Sequence, residues 1–179
     1  MTRKSNDEMT EWYALRVPYS RELKLKSFLD DAGVANFLPM KYARKKTGKQ
    51  TLVPAIHNLL FVNACQQEID EIKTRLKERI AIYYMMDRAL NKPIVVPERQ
   101  MQHFIAVAGT QDDQILFLDN VPAQIGRGDR VRVIGGIFSG VEGEIMRIRR
   151  DRRVVVSVQG LMAVATAFIH PSLLERIIN

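Results

Sequence analysis

Three histidines, one cysteine and scattered carboxylates are the residues on which any catalysis would have to rest. His57, His103 and His170 lie in different segments, and none stands in the HExxH-type spacing that sets two imidazoles on one helix face for a metal. Cys65 has no CxxC partner, and as the sole cysteine it cannot close an intrachain disulfide, which favours a reducing compartment. No P-loop and no GxSxG elbow occurs. Glu68, Asp70 and Glu71, like Asp30 and Asp31, fall where predicted helices would carry a solvated face. The pattern nominates no catalytic residue, no metal site and no cofactor. The expectation is a protein that works by binding.

The charge says what it would bind. The 179 residues carry 27 Lys and Arg against 20 Asp and Glu, a formal net charge of +7. That balance suits an anionic partner, whether nucleic acid, a membrane surface or an acidic protein face. Two clusters concentrate it. Lys41, Arg44, Lys45, Lys46 and Lys49 place five cations around one turn, with Tyr42 as a stacking face for a base. Arg149, Arg150, Arg152 and Arg153 surround Asp151 at a second turn. The plainer reading of either is a solvated hairpin tip.

The elements that would position these residues can be read from periodicity. Glu11–Val17 (EWYALRV) predicts a strand, ended by Pro18, with Ser20 capping a helix over Arg21–Ala32. Leu25, Phe28, Leu29 and Ala32 make that helix's apolar face, and Gly33 supplies its positive-φ stop. Asn36–Pro39 and Lys41–Arg44 are extended, and Thr47-Gly48-Lys49 returns the chain through Gln50–Val53 as a basic hairpin. Leu59–Asn63 predicts a buried strand, Gln67–Lys77 a helix with Ile69, Ile72 and Leu76 inward, and Ile80–Met86 another central strand. Pro93–Pro97 is expected as a loop. Pro97 then opens a third helix with Met101, Phe104, Ile105 and Ala108 on one side, ending at Gly109.

This order implies an α+β sandwich of helices on an antiparallel sheet. Thr110–Pro122 reads as a linker, although Ile115-Leu116-Phe117-Leu118 could dock on a neighbour. From Ala123 onward, glycines punctuate short β-rich runs at Val131–Ile134, Glu144–Ile148, Val154–Val158 and Met162–Phe168, the texture of a small barrel. The expected organisation is a disordered tail 1–10, a first domain 11–109, a linker 110–122 and a second domain 123–179. The polar N-terminus has no apolar signal segment, and no uncharged apolar run approaches the roughly 20 residues of a membrane span.

Gly128–Ile148, GDRVRVIGGIFSGVEGEIMRI, carries the strongest pattern. Val131 and Val133 alternate inward, and Gly136, Gly140 and Gly143 permit positive-φ turns and close backbone approach. The glycines do not have GxGxxG spacing, which excludes a dinucleotide fingerprint. The segment resembles a KOW motif, with Gly128, Asp129, Val131, Val133, Gly136, Gly140, Gly143 and Ile145 at its characteristic positions. The first half resembles the NusG N-terminal domain. Trp12-Tyr13 matches the family's opening WY pair, Asn36-Phe37-Leu38-Pro39 its extended segment ending in proline, and Leu60-Phe61-Val62 the end of its phenylalanine-proline-glycine/asparagine-tyrosine strand. The resemblance covers roughly residues 11–179 and looks nearest to specialised paralogues of the RfaH and UpxY kind, which control operons such as those for capsular polysaccharide.

The resemblance implies a ferredoxin-like α/β sandwich followed by a small Src-homology-3-like KOW β-barrel. It also implies a cytoplasmic bacterial factor, nucleoid-associated through its polymerase, that suppresses pausing or termination without catalysis. In that family an apolar patch contacts the clamp helices of the largest RNA polymerase subunit. Carried over, the patch is Tyr13, Ile56, Leu59, Phe61, Tyr83 and Tyr84, although Phe61 and Tyr83 could simply fill the core. Ile56, His57 and Leu59 depart from the family's phenylalanine, proline and tyrosine. Further implied partners are the nucleic acid of the elongation complex, through Lys41, Arg44, Lys45, Lys46 and Lys49, and a termination factor or ribosomal protein through the KOW module. No membrane is implied. The competing reading is a KOW-type RNA-binding protein of the ribosome or of RNA processing.

Overall fold

The computed structural model describes residues 9–119 and 127–178. Most of the expected tail, the end of the linker (120–122) and the start of the expected barrel (123–126) lie outside the described residues. In chain order the elements are β1 (Glu11–Arg16), α1 (Glu22–Asp31), β2 (Ala35–Phe37), β3 (Met40–Arg44), β4 (Gln50–Pro54), β5 (Leu59–Ala64), α2 (Gln66–Leu76), β6 (Tyr83–Tyr84), β7 (Met86–Asp87), β8 (Lys92–Pro93), β9 (Val95–Val96), α3 (Glu98–Ala108), β10 (Leu116–Leu118), β11 (Arg130–Val133), β12 (Glu142–Ile148), β13 (Asp151–Val158), β14 (Met162–Ala165) and β15 (Leu174–Arg176). They fall into two compact units. The first takes its described residues from Met1–Leu38 and His57–Val96, the second from Pro39–Ile56 and Pro97–Asn179.

The first unit is built on an antiparallel sheet in the order β2-β5-β1-β6, with β9 also beside β1. Leu25 and Leu29 bury the inner side of α1, and each buried leucine contributes about 1.5–3 kcal/mol. The third inward residue is Glu22, where Ala32 was expected; Ala32 is exposed. Ser20 is not the cap: it lies at φ +53°, and Arg21 holds the N-cap position without a side-chain bond. Glu22 takes over the anchoring, accepting the Asn58 N–H at 2.8 Å, while the Asn58 carbonyl accepts from Val17 at 2.9 Å. Gly33 ends the helix at φ +70°, as expected. Arg75 of α2 lies over the Phe28 ring of α1 at 5.4 Å, so the two helices are neighbours.

Ile80–Met86 is not a central strand. Only Tyr83–Tyr84 pairs with β1, and the place beside β1 is shared by two short pieces. β6 takes the Leu15–Arg16 end and β9 the Trp12–Tyr13 end, with Met85 donating to Ala14 O between them. The chain leaves that edge at Met86, turns through Asp87, whose carboxylate accepts the N–H groups of Ala89 and Leu90, and returns through Asn91 at φ +51° and β8. Local turn chemistry breaks a run whose composition favours a continuous strand. It also makes Val95–Val96, expected as loop, a strand.

The second unit contains the β3–β4 hairpin, α3 and a six-stranded antiparallel sheet in the order β10-β14-β13-β12-β11-β15. The expected hairpin forms, paired from Met40 opposite Pro54 to Arg44 opposite Gln50, with Gly48 at φ +82°. α3 lies against β13 and β14 and buries Met101, Phe104, Val107 and Ala108; Val107 replaces Ile105 on the inner face. Val155, Ala163 and Ala165 form a buried cluster flanked by Leu116, Leu118, Met146 and Ile148. The small alanines leave room for the larger side chains to interdigitate. Leu116–Leu118, inside the expected linker, is thus an edge strand of this sheet, the docking that its apolar run made conceivable.

Candidate functional site

Strand register sorts the six apolar candidates. Side chains on neighbouring strands share a face when their residues are paired, and successive residues alternate. Arg16 pairs with both Leu59 and Tyr83, and Ala14 pairs with Phe61, so these residues share one face of the first unit's sheet. Leu15 pairs with Tyr84, which places Tyr84 and Tyr13 on the opposite face. Ile56 belongs to the second unit. The six therefore do not form one contiguous patch on that sheet. Phe61 is 0% exposed and Leu59 is 5% exposed, so both serve the core, whereas Tyr83 is 53% exposed beneath the Arg16 guanidinium, 5.8 Å from its ring centroid. Met86 and Leu90, on the β7–β8 excursion that interrupts this edge, are also exposed. Sequence reading missed those two because the break in Ile80–Met86 was hidden.

Tyr13 and Tyr84 meet edge to face at 5.7 Å and 63°. Tyr84 donates to Asp70 at 2.8 Å, with Lys73 over its ring at 4.3 Å. Burial, the donated bond to Glu11 and that carboxylate's charge push the Tyr13 hydroxyl up to about 12. Burial and Asp70 push Tyr84 up further. Both phenols stay protonated as donors, which makes this pair a structural anchor of α2 rather than a proton relay.

In the second unit Lys41, Arg44, Lys45, Lys46 and Lys49 are all exposed along the β3–β4 hairpin, and Tyr42 is 50% exposed among them. Among the described residues none of the five has an ion-pair partner. The second cluster divides. Arg153 donates to the carbonyls of Gln114 (2.7 Å) and Thr166 (2.8 Å), fastening the chain before β10 to the sheet. Arg149 and Arg150 form the two-residue turn between β12 and β13, at φ +58° and +111°. Such turns favour Asn-Gly, and arginine there stores roughly 1–3 kcal/mol of strain per residue. Arg147 and Arg152 face each other across the strands just below, a like-charge pair that repels.

The glycine-valine segment has a clear geometric logic. Val131 and Val133 are buried, and Gly136 and Gly140 sit at φ +77° and +87°. A Cβ on Gly143 would lie 2.5 Å from Val155 O, and one on Gly128 would lie 2.6 Å from Ile145 O, so both glycines serve backbone approach. Asp129 accepts from Arg176 at 2.6 Å, and its carbonyl accepts the Ile145 N–H at 3.0 Å.

Glu142, unremarked in the sequence, is held by two arginines. It is 7% exposed and receives Arg132 at 2.7 Å and Arg99 of α3 at 2.7 Å. The Arg132 bonds hold its carboxyl below the usual range; burial opposes them and Arg99 assists. The Glu142 N–H points to His103 Nδ1 at 3.4 Å, so that nitrogen acts as acceptor. Burial pushes His103 down, the Glu142 charge opposes this, and the charges of Arg99, Arg130 and Arg132 assist it. The alternation of VEGEI could have placed Glu142 across from Arg132, but not α3 above it. His57 is exposed in a turn, His170 accepts the Ser172 N–H, and Cys65 precedes α2. The three histidines thus sit in three separate environments. Among the described residues no group of three or more His, Cys, Asp or Glu could hold a metal ion, and no helix is long and apolar enough to cross a membrane.

No curated protein matches the chain significantly. The family model described as "Transcription termination factor nusG" matches residues 10–105, from the residue before β1 into α3. That span exceeds half of the sequence and takes in the entire β1–α1–β5–α2 framework, so the chain belongs to the NusG family of transcription factors, which act on elongation and termination.

Proposed function

We propose that this protein is a specialised antitermination factor of the UpxY kind, which binds RNA polymerase and suppresses pausing or termination on particular operons such as those for capsular polysaccharide. The family match over residues 10–105 carries this reading. In it, residues 11–109 act as the polymerase-binding domain and bind the clamp helices of the largest subunit. Exposed Tyr83 makes contact, with buried Leu59 and Phe61 supporting it on the same sheet face; roles for Tyr13, Tyr84 and Ile56 rest on the family resemblance alone. Exposed Met86 and Leu90 extend the contact, since apolar anchors at the centre of an interface carry most of its energy. Residues 123–179 act as a KOW barrel that tethers a termination factor or a ribosomal protein. The glycines at positions 128 and 143, each against a carbonyl, support that assignment. Lys41, Arg44, Lys45, Lys46 and Lys49 contact nucleic acid of the elongation complex.

The test is transcription in vitro on pause and terminator templates, with and without the full chain. Longer read-through and shorter pauses are expected. Unchanged pausing, together with no retention on elongating polymerase, would overturn the proposal. A second reading, an RNA-binding KOW protein, is favoured by one observation: the exposed Arg149-Arg150 turn. It requires binding to ribosomal RNA in the absence of polymerase.

A further inference from the structure

Two basic hairpins about 100 residues apart in sequence converge on one cleft of about 270 Å³ in the second unit. Lys41 and Tyr42 of β3 line it, Arg149 lines it from the β12–β13 turn, and Asp112 and Asp113 lie between. We propose that this cleft seats one base of a single-stranded nucleic acid whose phosphates run across both hairpins. The inference rests on the reading that the β3–β4 cations contact nucleic acid, and it deepens that reading by adding the second hairpin and the strandedness.

Four observations carry it. Tyr42 offers a half-exposed ring within the cleft, and an aromatic face stacks any base. Cations flank the cleft on both sides without carboxylate partners among the described residues: Arg44, Lys45 and Lys46 beyond Tyr42, Arg150 beyond Arg149. The second hairpin keeps arginine at two left-handed positions, Arg149 at the cleft and Arg150 next to it, where Asn-Gly would be less costly. An anionic ligand gives the strained turn a purpose. Finally, the carboxylates suit a base rather than a phosphate. Asp112 is engaged by the Gln114 N–H at 2.8 Å, but exposed Asp113 is free to accept from an exocyclic amine. A cleft of this size admits a splayed-out base and no duplex. Adenine and cytosine carry the amine; uracil does not.

Fluorescence anisotropy on the full chain tests this, using labelled oligomers of rA, rC, rU and dC and a DNA duplex, each over a salt series. Arg149→Asn with Arg150→Gly removes both charges and suits the left-handed backbone, so the fold is retained; a thermal melt checks it. For rC this variant should weaken binding and flatten the slope of log affinity against log salt by about 0.7 per lost phosphate contact. Tyr42→Ala should weaken rC at least about fivefold, and Asp113→Ala, which removes the acceptor, should abolish the preference of rA and rC over rU. Tighter binding of rC than dC would assign the strand as RNA, and the reverse as DNA. If Lys45→Glu with Lys46→Glu flattens the slope while Arg149→Asn with Arg150→Gly leaves it unchanged, the joint track is overturned and the β3–β4 reading stands. If neither variant changes the slope, both fall. Tightest binding to duplex overturns the single-strand assignment alone.

Discussion

The two sheets solve the same problem in different ways. In the second unit β12 and β13 run together from Ile148 opposite Asp151 to Glu144 opposite Val155, and glycine at 143 lets β12 lie hard against the Val155 carbonyl. In the first unit the strip beside β1 is assembled from two residues of β6 and two of β9, with an excursion between them. The continuous pair maximises backbone bonding and buries valines. The interrupted edge gives up bonds and leaves Tyr83, Met86 and Leu90 facing solvent. Interface residues belong on such an edge, because a side chain released from the core can be given to a partner without loss of the fold.

The strongest way to break this contrast is to treat a core residue of the first sheet as if it were surface. Phe61→Ala should lower unfolding stability by about 3–5 kcal/mol, since the ring is wholly buried and the cavity cannot be refilled. Denaturant unfolding measures it. A change below about 1 kcal/mol would mean that Phe61 is not buried in solution.

Next comes the close approach in the second sheet. Gly143→Ala should cost about 2–3 kcal/mol, because the new Cβ meets backbone rather than the end of a movable side chain. Gly140→Ala, at φ +87° in open space, should cost about 1 kcal/mol. Reversal of that order would show that turn conformation, not strand contact, sets the requirement for glycine.

These glycines were legible in the sequence because a positive φ or a missing Cβ leaves a residue-type signature at the position itself. The β3–β4 hairpin was legible for the same reason, through Gly48. What the sequence hid depends on partners. Tyr13 and Phe61 were grouped as one patch by resemblance to the family, yet they occupy opposite faces, and only strand register decides that. Ile80–Met86 has strand composition, but Asp87, Asn91 and Pro93 just beyond it set the break. Leu116–Leu118 looked like linker because three residues cannot show a period. Glu142 gave no signal in the sequence because its partner Arg99 is 43 residues away.

A smaller effect is gated by pH. Glu142 and His103 both have folded values below their ordinary ones, so the unfolded chain binds more protons and stability falls with acid. The His103 contribution is complete above its ordinary 6.5 and lost as pH drops through its depressed folded value. That of Glu142 is complete above 4.5 and lost below it in the same manner. Glu142→Gln should remove the lower window and widen the upper one, since the carboxylate's charge no longer opposes the depression of His103, read as melting temperature against pH. A curve unchanged below 4.5 would mean that the arginines gain nothing from this carboxylate.

The smallest stability effect should accompany a large functional one. Tyr83 is more than half exposed, pairs through β6 with only two residues of β1, and gains only a cation–π contact from Arg16, worth about 0.5–1 kcal/mol at an exposed site. Tyr83→Ala should therefore shift unfolding by no more than about 1 kcal/mol. If the broken edge is the polymerase contact, the same variant should lose most retention on elongating polymerase, since a central aromatic anchor typically contributes about 2 kcal/mol or more to binding, some thirtyfold. Arg16→Ala separates the two roles: it removes the stacked cation while leaving the ring in place, so stability should respond as it does to Tyr83→Ala while binding responds less. A larger binding loss from Arg16→Ala than from Tyr83→Ala would mean that the charge, more than the ring, is what the partner reads at this edge.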